Sequence, residues 1–271
     1  MLEILQYDFM RNALITAILA SIACGIIGVY VVVKKIVSIS GGISHASFGG
    51  VGLGYFLGTN PLYGLIPFSL FSALVMGLVS KRSKVSEDTA TGILWSLGMA
   101  LGIIFINLTP GYAPDLMTYL FGNILTVSTS DLYVMLALDA LIVVIVYAFY
   151  KEFMAMCFDE EFASVIGVAV ERMYLLLLCL IALTIVLLIK VVGIILIIAL
   201  LTMPATLSAH YTHNLRNMMA LSIFFGALFS IMGLFLSYFL DIPSGATIIL
   251  VMSAVYIIHF MYDGIKKKIH A

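Results

Sequence analysis

Nine apolar stretches follow one another along this 271-residue chain, at 13–33, 41–58, 62–80, 89–107, 132–150, 174–189, 192–209, 218–240 and 246–262. Each approaches the roughly 20 residues that a helix needs to cross the hydrocarbon of a bilayer. Between them stand Lys34-Lys35, Asn60-Pro61, Lys81-Arg82, Pro110 and Pro114, the polar stretch 151–172, Gly193, the segment 213–217 and Pro243. Composition agrees: 63% of the residues are hydrophobic and only 10% charged, with a mean hydropathy of +1.19. Soluble domains carry roughly 25% charged residues, and a water-soluble fold of this length could not hide so much apolar surface. The expectation is an all-α polytopic membrane bundle, one transmembrane domain over 1–271, with about nine spans. The range is eight to ten, because 41–58 is short and glycine-rich and the sixth and seventh runs are nearly fused.

Charge orients the bundle. With nine spans and the N-terminus outside, one side receives Lys34, Lys35, Lys81, Arg82, Lys84, Lys151, Arg172, Arg216, Lys266, Lys267 and Lys268, which is 11 of the 13 basic residues. Arg11 and Lys190 fall on the other side. The positive-inside rule then makes the C-terminus and the 151–172 stretch cytoplasmic, and turns 109–131 and 241–244 outward. Residues 1–12 lack a basic lead-in, so the first run reads as a retained helix and not as a cleaved signal. Cys24, Cys157 and Cys179 are far apart and read as free thiols. A net charge of −1 gives nucleic acid nothing to hold. The loops are too short for a soluble catalytic domain, and the phosphate-binding pattern GxxxxGK[ST] is absent from the sequence. Any motor is therefore another chain or an ion gradient.

Three places carry polar chemistry. In the second run Gly42, Ala46, Gly50, Gly54 and Gly58 recur every four residues, a small-residue ridge that lets another helix come close. His45 sits beside it among glycines, where an imidazole could ligate a divalent metal or bond a neighbouring backbone. Asp139 lies mid-span and should face the protein interior, as a pathway carboxylate or a structural hydrogen-bonder. In the 151–172 stretch, Asp159, Glu160 and Glu161 precede Phe162, Ala163 and a stop at Gly167. Acids suit a helix start and glycine its end, so a short amphipathic helix is expected, with Phe158, Phe162, Val165 and Ile166 on one side. It is either an interfacial helix or one that docks in a partner's groove. Pro204 should kink the seventh span. Asp241 and Ser244 are natural caps for the ninth helix, with Pro243 near its first turn.

These segments resemble the permease subunit of metal-ion ABC importers, the zinc, manganese and iron family. The likeness runs over nearly the whole chain: Gly42-Ile43-Ser44-His45-Ala46, Phe158–Ala163 with Gly167, Val192-Gly193 with Ala199–Ala205, and Leu236–Tyr238 with Asp241–Thr247. The resemblance implies a homodimer with the path between the two copies, in a prokaryotic plasma membrane. It implies two cytoplasmic ATP-binding-cassette subunits docked on 159–167 and an extracytoplasmic metal-binding protein that delivers the ion. The chain itself would bind no cofactor and catalyse no covalent step. ATP would sit on the partners, and the cargo would be a divalent metal, zinc ahead of manganese or iron. One departure stands out. Many members carry an aspartate four residues before the histidine, and that position here is Gly41. His45 alone carries over, and Asp139 is a candidate replacement acid.

The competing readings are a permease for an iron chelate or a cobalamin-like molecule, and a gradient-driven carrier, which needs no docking helix. An intramembrane enzyme is disfavoured. Ser44 and His45 are adjacent, and adjacent helical residues point about 100° apart.

Overall fold

The computed structural model describes residues 6–82, 86–110, 119, 122–189 and 191–269. Lys84, Pro114 and Lys190 therefore lie outside the described residues. Among those described, the long elements are all α-helical: α1 (Asp8–Val33), α2 (Val37–Ala46), α3 (Phe48–Phe56), α4 (Pro61–Arg82), α5 (Glu87–Leu108), α6 (Thr129–Ala148), α7 (Tyr150–Phe158), α8 (Glu160–Val165), α9 (Val170–Ile189), α10 (Gly193–Tyr211), α11 (Leu215–Leu240) and α12 (Ser244–Ile269). Eight of them are long and apolar enough to span a bilayer. The second expected span is a pair, α2 and α3, parted at Ser47. The 20 residues from Val37 to Phe56 rise about 30 Å together, enough for one crossing.

Local chemistry sets the helix ends. Ser86 Oγ accepts the Thr89 amide at 3.2 Å to start α5. Ser128 and Asp131 form a reciprocal capping box at α6. Asn214 Oδ1 accepts amides of the first turn of α11. Asp241 departs from the expectation drawn from sequence. It does not cap α12. It ends α11 in a left-handed conformation (φ 54°), its amide bonded to the Ser237 carbonyl. A short polar side chain tolerates that backbone better than a branched one would. Ser244 is the first helical residue of α12, and the Pro243 carbonyl before it accepts both the amide and the hydroxyl of Thr247. Pro204 lies buried inside α10, and Pro67 inside α4 is a second helix-interior proline among the described residues.

The core gathers around α1, which packs on α6, α10 and α11. At its tightest crossing, a Cβ added to Gly28 would lie 2.1 Å from the Leu201 carbonyl oxygen of α10. α2 and α3 form a wedge between α4 and α5. There four of the five small residues of the four-residue period lie close against a neighbouring helix. Gly42 abuts Thr91 and Met76, Ala46 abuts Gly98, Gly50 abuts Gly64 and Gly54 abuts Pro61. Gly58 is outside the ridge. It occupies the turn after α3 with φ +65° and nothing within 4 Å of where a Cβ would stand. The four-residue period continues through it, but the helix stops at Phe56.

Candidate functional site

Two regions, besides the separate Asp139 of α6, hold the polar residues that the sequence singles out. The first is the α2–α3 wedge. His45 lies in the last turn of α2, and its ring stacks on the indole of Trp95 of α5, with centroids 4.0 Å apart and planes 10° from parallel. Its Nδ1 is buried and has no hydrogen-bond partner among the described residues. Such an atom is costly to leave unsatisfied, so it marks a place where a ligand or water belongs. One turn earlier, a Cβ on Gly41 would meet only Ile198 Cδ1, at an ordinary 3.8 Å. Position 41 thus has space for a side chain and carries no acid. The neighbouring hydroxyls are committed elsewhere. Ser44 Oγ donates to the Ser40 carbonyl at 2.9 Å, and Ser47 Oγ donates to the Ile43 carbonyl while receiving a bond from Ser69. Ser44 is therefore bonded within its own helix and not to His45.

Trp95 is the residue that sequence reasoning missed. It is the chain's only tryptophan and is 42% exposed. Its being the lone indole in a membrane span was a signal, but its contact with a histidine 50 positions away was not visible in the pattern.

Asp139 is buried in α6 with both carboxylate oxygens unpartnered among the described residues. It lies within electrostatic range of Cys24 on α1. Its neighbours thus differ from those of His45, and among the described residues no three His, Cys, Asp or Glu side chains gather at one point. Among the described residues, His45 and Asp139 thus stand apart and form no common cluster.

The second region is at the end of the bundle where Lys34 and Lys81 emerge. The polar stretch holds two helices, where one was expected: α7 runs directly on from α6, and α8 follows after Asp159. Asp159 Oδ1 accepts the Phe162 amide at 2.9 Å. The end of α8 closes with amide bonds from Gly167 to Ser164 and from Val168 to Ala163, with Gly167 at φ +88°. This paired pattern is the Schellman stop, and its left-handed residue is why glycine stands there. Glu160 anchors the helix. Its two oxygens take Lys34, at the end of α1, and Lys81, near the end of α4, the latter at 2.9 Å. Burial pushes the Glu160 carboxyl up, but the bonds and charges of the two lysines outweigh it and hold it below the usual carboxylate range. Ala163 is fully buried, while Phe162 is 57% and Val165 85% exposed, and Phe158 and Ile166 are exposed as well. The helix is thus pinned by one residue underneath and one ion-pair fork, and presents an apolar surface outward. Glu161 is exposed beside that surface. Nearby, burial pushes the Cys157 thiol up to about 12, against the pull of Lys34, so it stays protonated and inert at neutral pH.

This architecture is shared with known proteins. A profile of the ABC 3 transport family matches residues 6–263. A membrane protein of Synechocystis is 45% identical over 262 residues, covering 97% of this chain and 93% of that one. The manganese transport system membrane protein MntC of Halalkalibacterium halodurans is 35% identical over 96% of this chain and 89% of its own length. Among solved structures, PsaBC from Streptococcus pneumoniae in complex with Fab superposes with a TM-score of 0.86 at 35% identity, over 96% of this chain and 94% of that one. The profile match over nearly the whole length and these full-length relatives show that the chain belongs to the ABC 3 transport family.

Proposed function

We propose that this chain is the membrane-spanning subunit of an ATP-driven importer of divalent metal, with manganese as its cargo. The observation that carries this reading is α8, a capped helix pinned by Glu160 and Ala163 whose apolar residues point away from the bundle. In an ABC transporter that surface is where a separate ATPase subunit docks, with Phe162, Val165 and Ile166 entering its groove and Glu161 at the rim. Manganese takes the place of zinc as the first choice because relatives such as MntC carry manganese in their names.

Two copies would line the path between them, each presenting its His45. The second copy supplies the further ligands that one chain lacks, and Asp139 remains a candidate contributor. The basic end of the bundle faces the cytoplasm by the positive-inside rule, and the opposite loops receive an ion-delivering protein. An imidazole with no carboxylate beside it suits a cargo that must be released as well as bound. ATP binding would draw the two α8 helices together. The Glu160 fork would pass that motion to α1 and α4, and α4 abuts the wedge that holds His45.

The test is metal uptake into proteoliposomes holding the permease with its ATPase. Manganese uptake that requires ATP is the expected result. Uptake driven by a proton or sodium gradient without ATP would replace this reading with that of a secondary carrier.

A further inference from the structure

A groove of about 840 Å³ opens beside the start of α7, lined by residues of α1, α6, α7 and α11. It falls within the range of about 300–1,000 Å³ typical of sites for small molecules. Its walls come from α1, α6 and α11, through Ile26, Val143, Val146 and Met219. They are apolar and belong to helices long enough to span a bilayer. Its mouth holds Lys151 and Arg216 together with Tyr147 and Tyr150.

The two cations are available. Arg216 lies over the Tyr150 ring, 4.9 Å from its centroid, and neither it nor Lys151 forms an ion pair among the described residues. Glu152 lines the same mouth and is the one negative charge there, so the mouth has a net charge of +1. Arg216 also stands in the first turn of α11, whose dipole adds positive potential at that point. Tyr147, 84% exposed, sits at the same level, as tyrosines do where hydrocarbon meets headgroups.

We infer that this groove seats an anionic phospholipid of the inner leaflet, its phosphate held by Lys151 and Arg216 and an acyl chain laid along Val143, Val146 and Met219. Charge complementarity selects the occupant. A zwitterionic lipid offers the same phosphate but brings a second cation to a mouth that already has a net charge of +1, whereas an anionic headgroup brings none. A free phosphate ion would use the cations and leave the wall bare. The proposal does not depend on what the permease transports.

The experiment is native mass spectrometry of the purified full-length permease with phosphatidylglycerol, phosphatidylcholine or soluble glycerol phosphate, with thermal unfolding measured in parallel. Phosphatidylglycerol is expected to bind and to raise the melting temperature, and the other two probes are expected to do neither. The double variant Lys151→Gln, Arg216→Gln should bind phosphatidylglycerol about 30-fold more weakly, about fivefold for each cation removed. Arg216→Lys, which keeps the charge, should recover most of the loss. It also separates a lost lipid contact from a misfolded variant. Equal binding of the two lipids, or an unchanged affinity in the double variant, would overturn the assignment. Stabilisation by glycerol phosphate equal to that by the lipid would make this an anion site only. Disulfide cross-linking between copies through Tyr147→Cys would make the groove a protein interface and likewise end the proposal.

Discussion

The wedge around His45 and the helix α8 are both short helical pieces, yet they are held in opposite ways. In the wedge, backbone meets backbone. Gly50 faces Gly64, Gly52 faces Gly102, and an added Cβ would lie 2.7 Å and 2.4 Å from their respective carbonyl oxygens. At α8 almost nothing is enclosed except Ala163, and a single glutamate ties it to two helices. A ligand held in the membrane needs a fixed frame, because loose packing would spread the geometry of its site. A helix that relays a partner's motion needs firm attachment below and free side chains above. Under the proposed function, the difference would separate the part that holds the ion from the part that is pushed.

The comparison can be broken most severely in the wedge. Gly50→Val must displace the backbone of α4, and overpacking of this kind costs about 3 kcal/mol. The yield and melting temperature of the purified protein should fall sharply. A variant that folds and melts normally would show that the wedge is not close-packed. A smaller effect is expected at α8. Glu160→Gln keeps the shape but weakens both lysine bonds, at a cost of about 1–2 kcal/mol. Its effect should depend on pH with a defined sign. The Glu160 carboxyl is held below its ordinary value, so its contribution is present above about 4.3 and is lost as the pH falls through the lowered value. The gap in unfolding free energy between wild type and Glu160→Gln should therefore be full at neutral pH and close in strong acid. A gap that widens on acidification would contradict the fork.

Next in size is a gain. Gly41→Asp would restore an acid one turn from His45, in a place with room for it, and should tighten manganese binding about tenfold, or about 1.4 kcal/mol. Isothermal titration of the purified permease checks this, and unchanged affinity would separate position 41 from the ion. The smallest effect belongs to Gly58→Ala. Nothing crowds that site, so the cost is only that of a left-handed alanine, about 1 kcal/mol. A loss as large as that of Gly50→Val would return Gly58 to the packed ridge.

Much of this arrangement was legible in the chain itself. Hydropathy located every span because lipid demands long apolar runs whatever their partners. The α8 signals were legible because caps and stops are local: Asp159, Phe162 and Gly167 act within a few residues of one another. What escaped the pattern was long-range or conformational. Glu160 meets lysines 126 and 79 positions away, and no periodicity announces that. The stacking of His45 on Trp95 is of the same kind. The parting of the second span at Ser47, the helix of Tyr150–Phe158 and the left-handed Asp241 depend on how neighbouring elements dock, which a window of sequence does not contain. Gly58 misled because a spacing of four persists past the point where the helix ends.

In the proposed function, His45 handles the ion while α8 takes the drive, and the division of roles can be separated by one variant. It is tested most directly by ATP-dependent manganese uptake in proteoliposomes carrying His45→Ala with the ATPase bound. Uptake should drop at least tenfold while ATPase binding to the permease is unchanged. Uptake equal to the wild type, at the same level of bound ATPase, would contradict it.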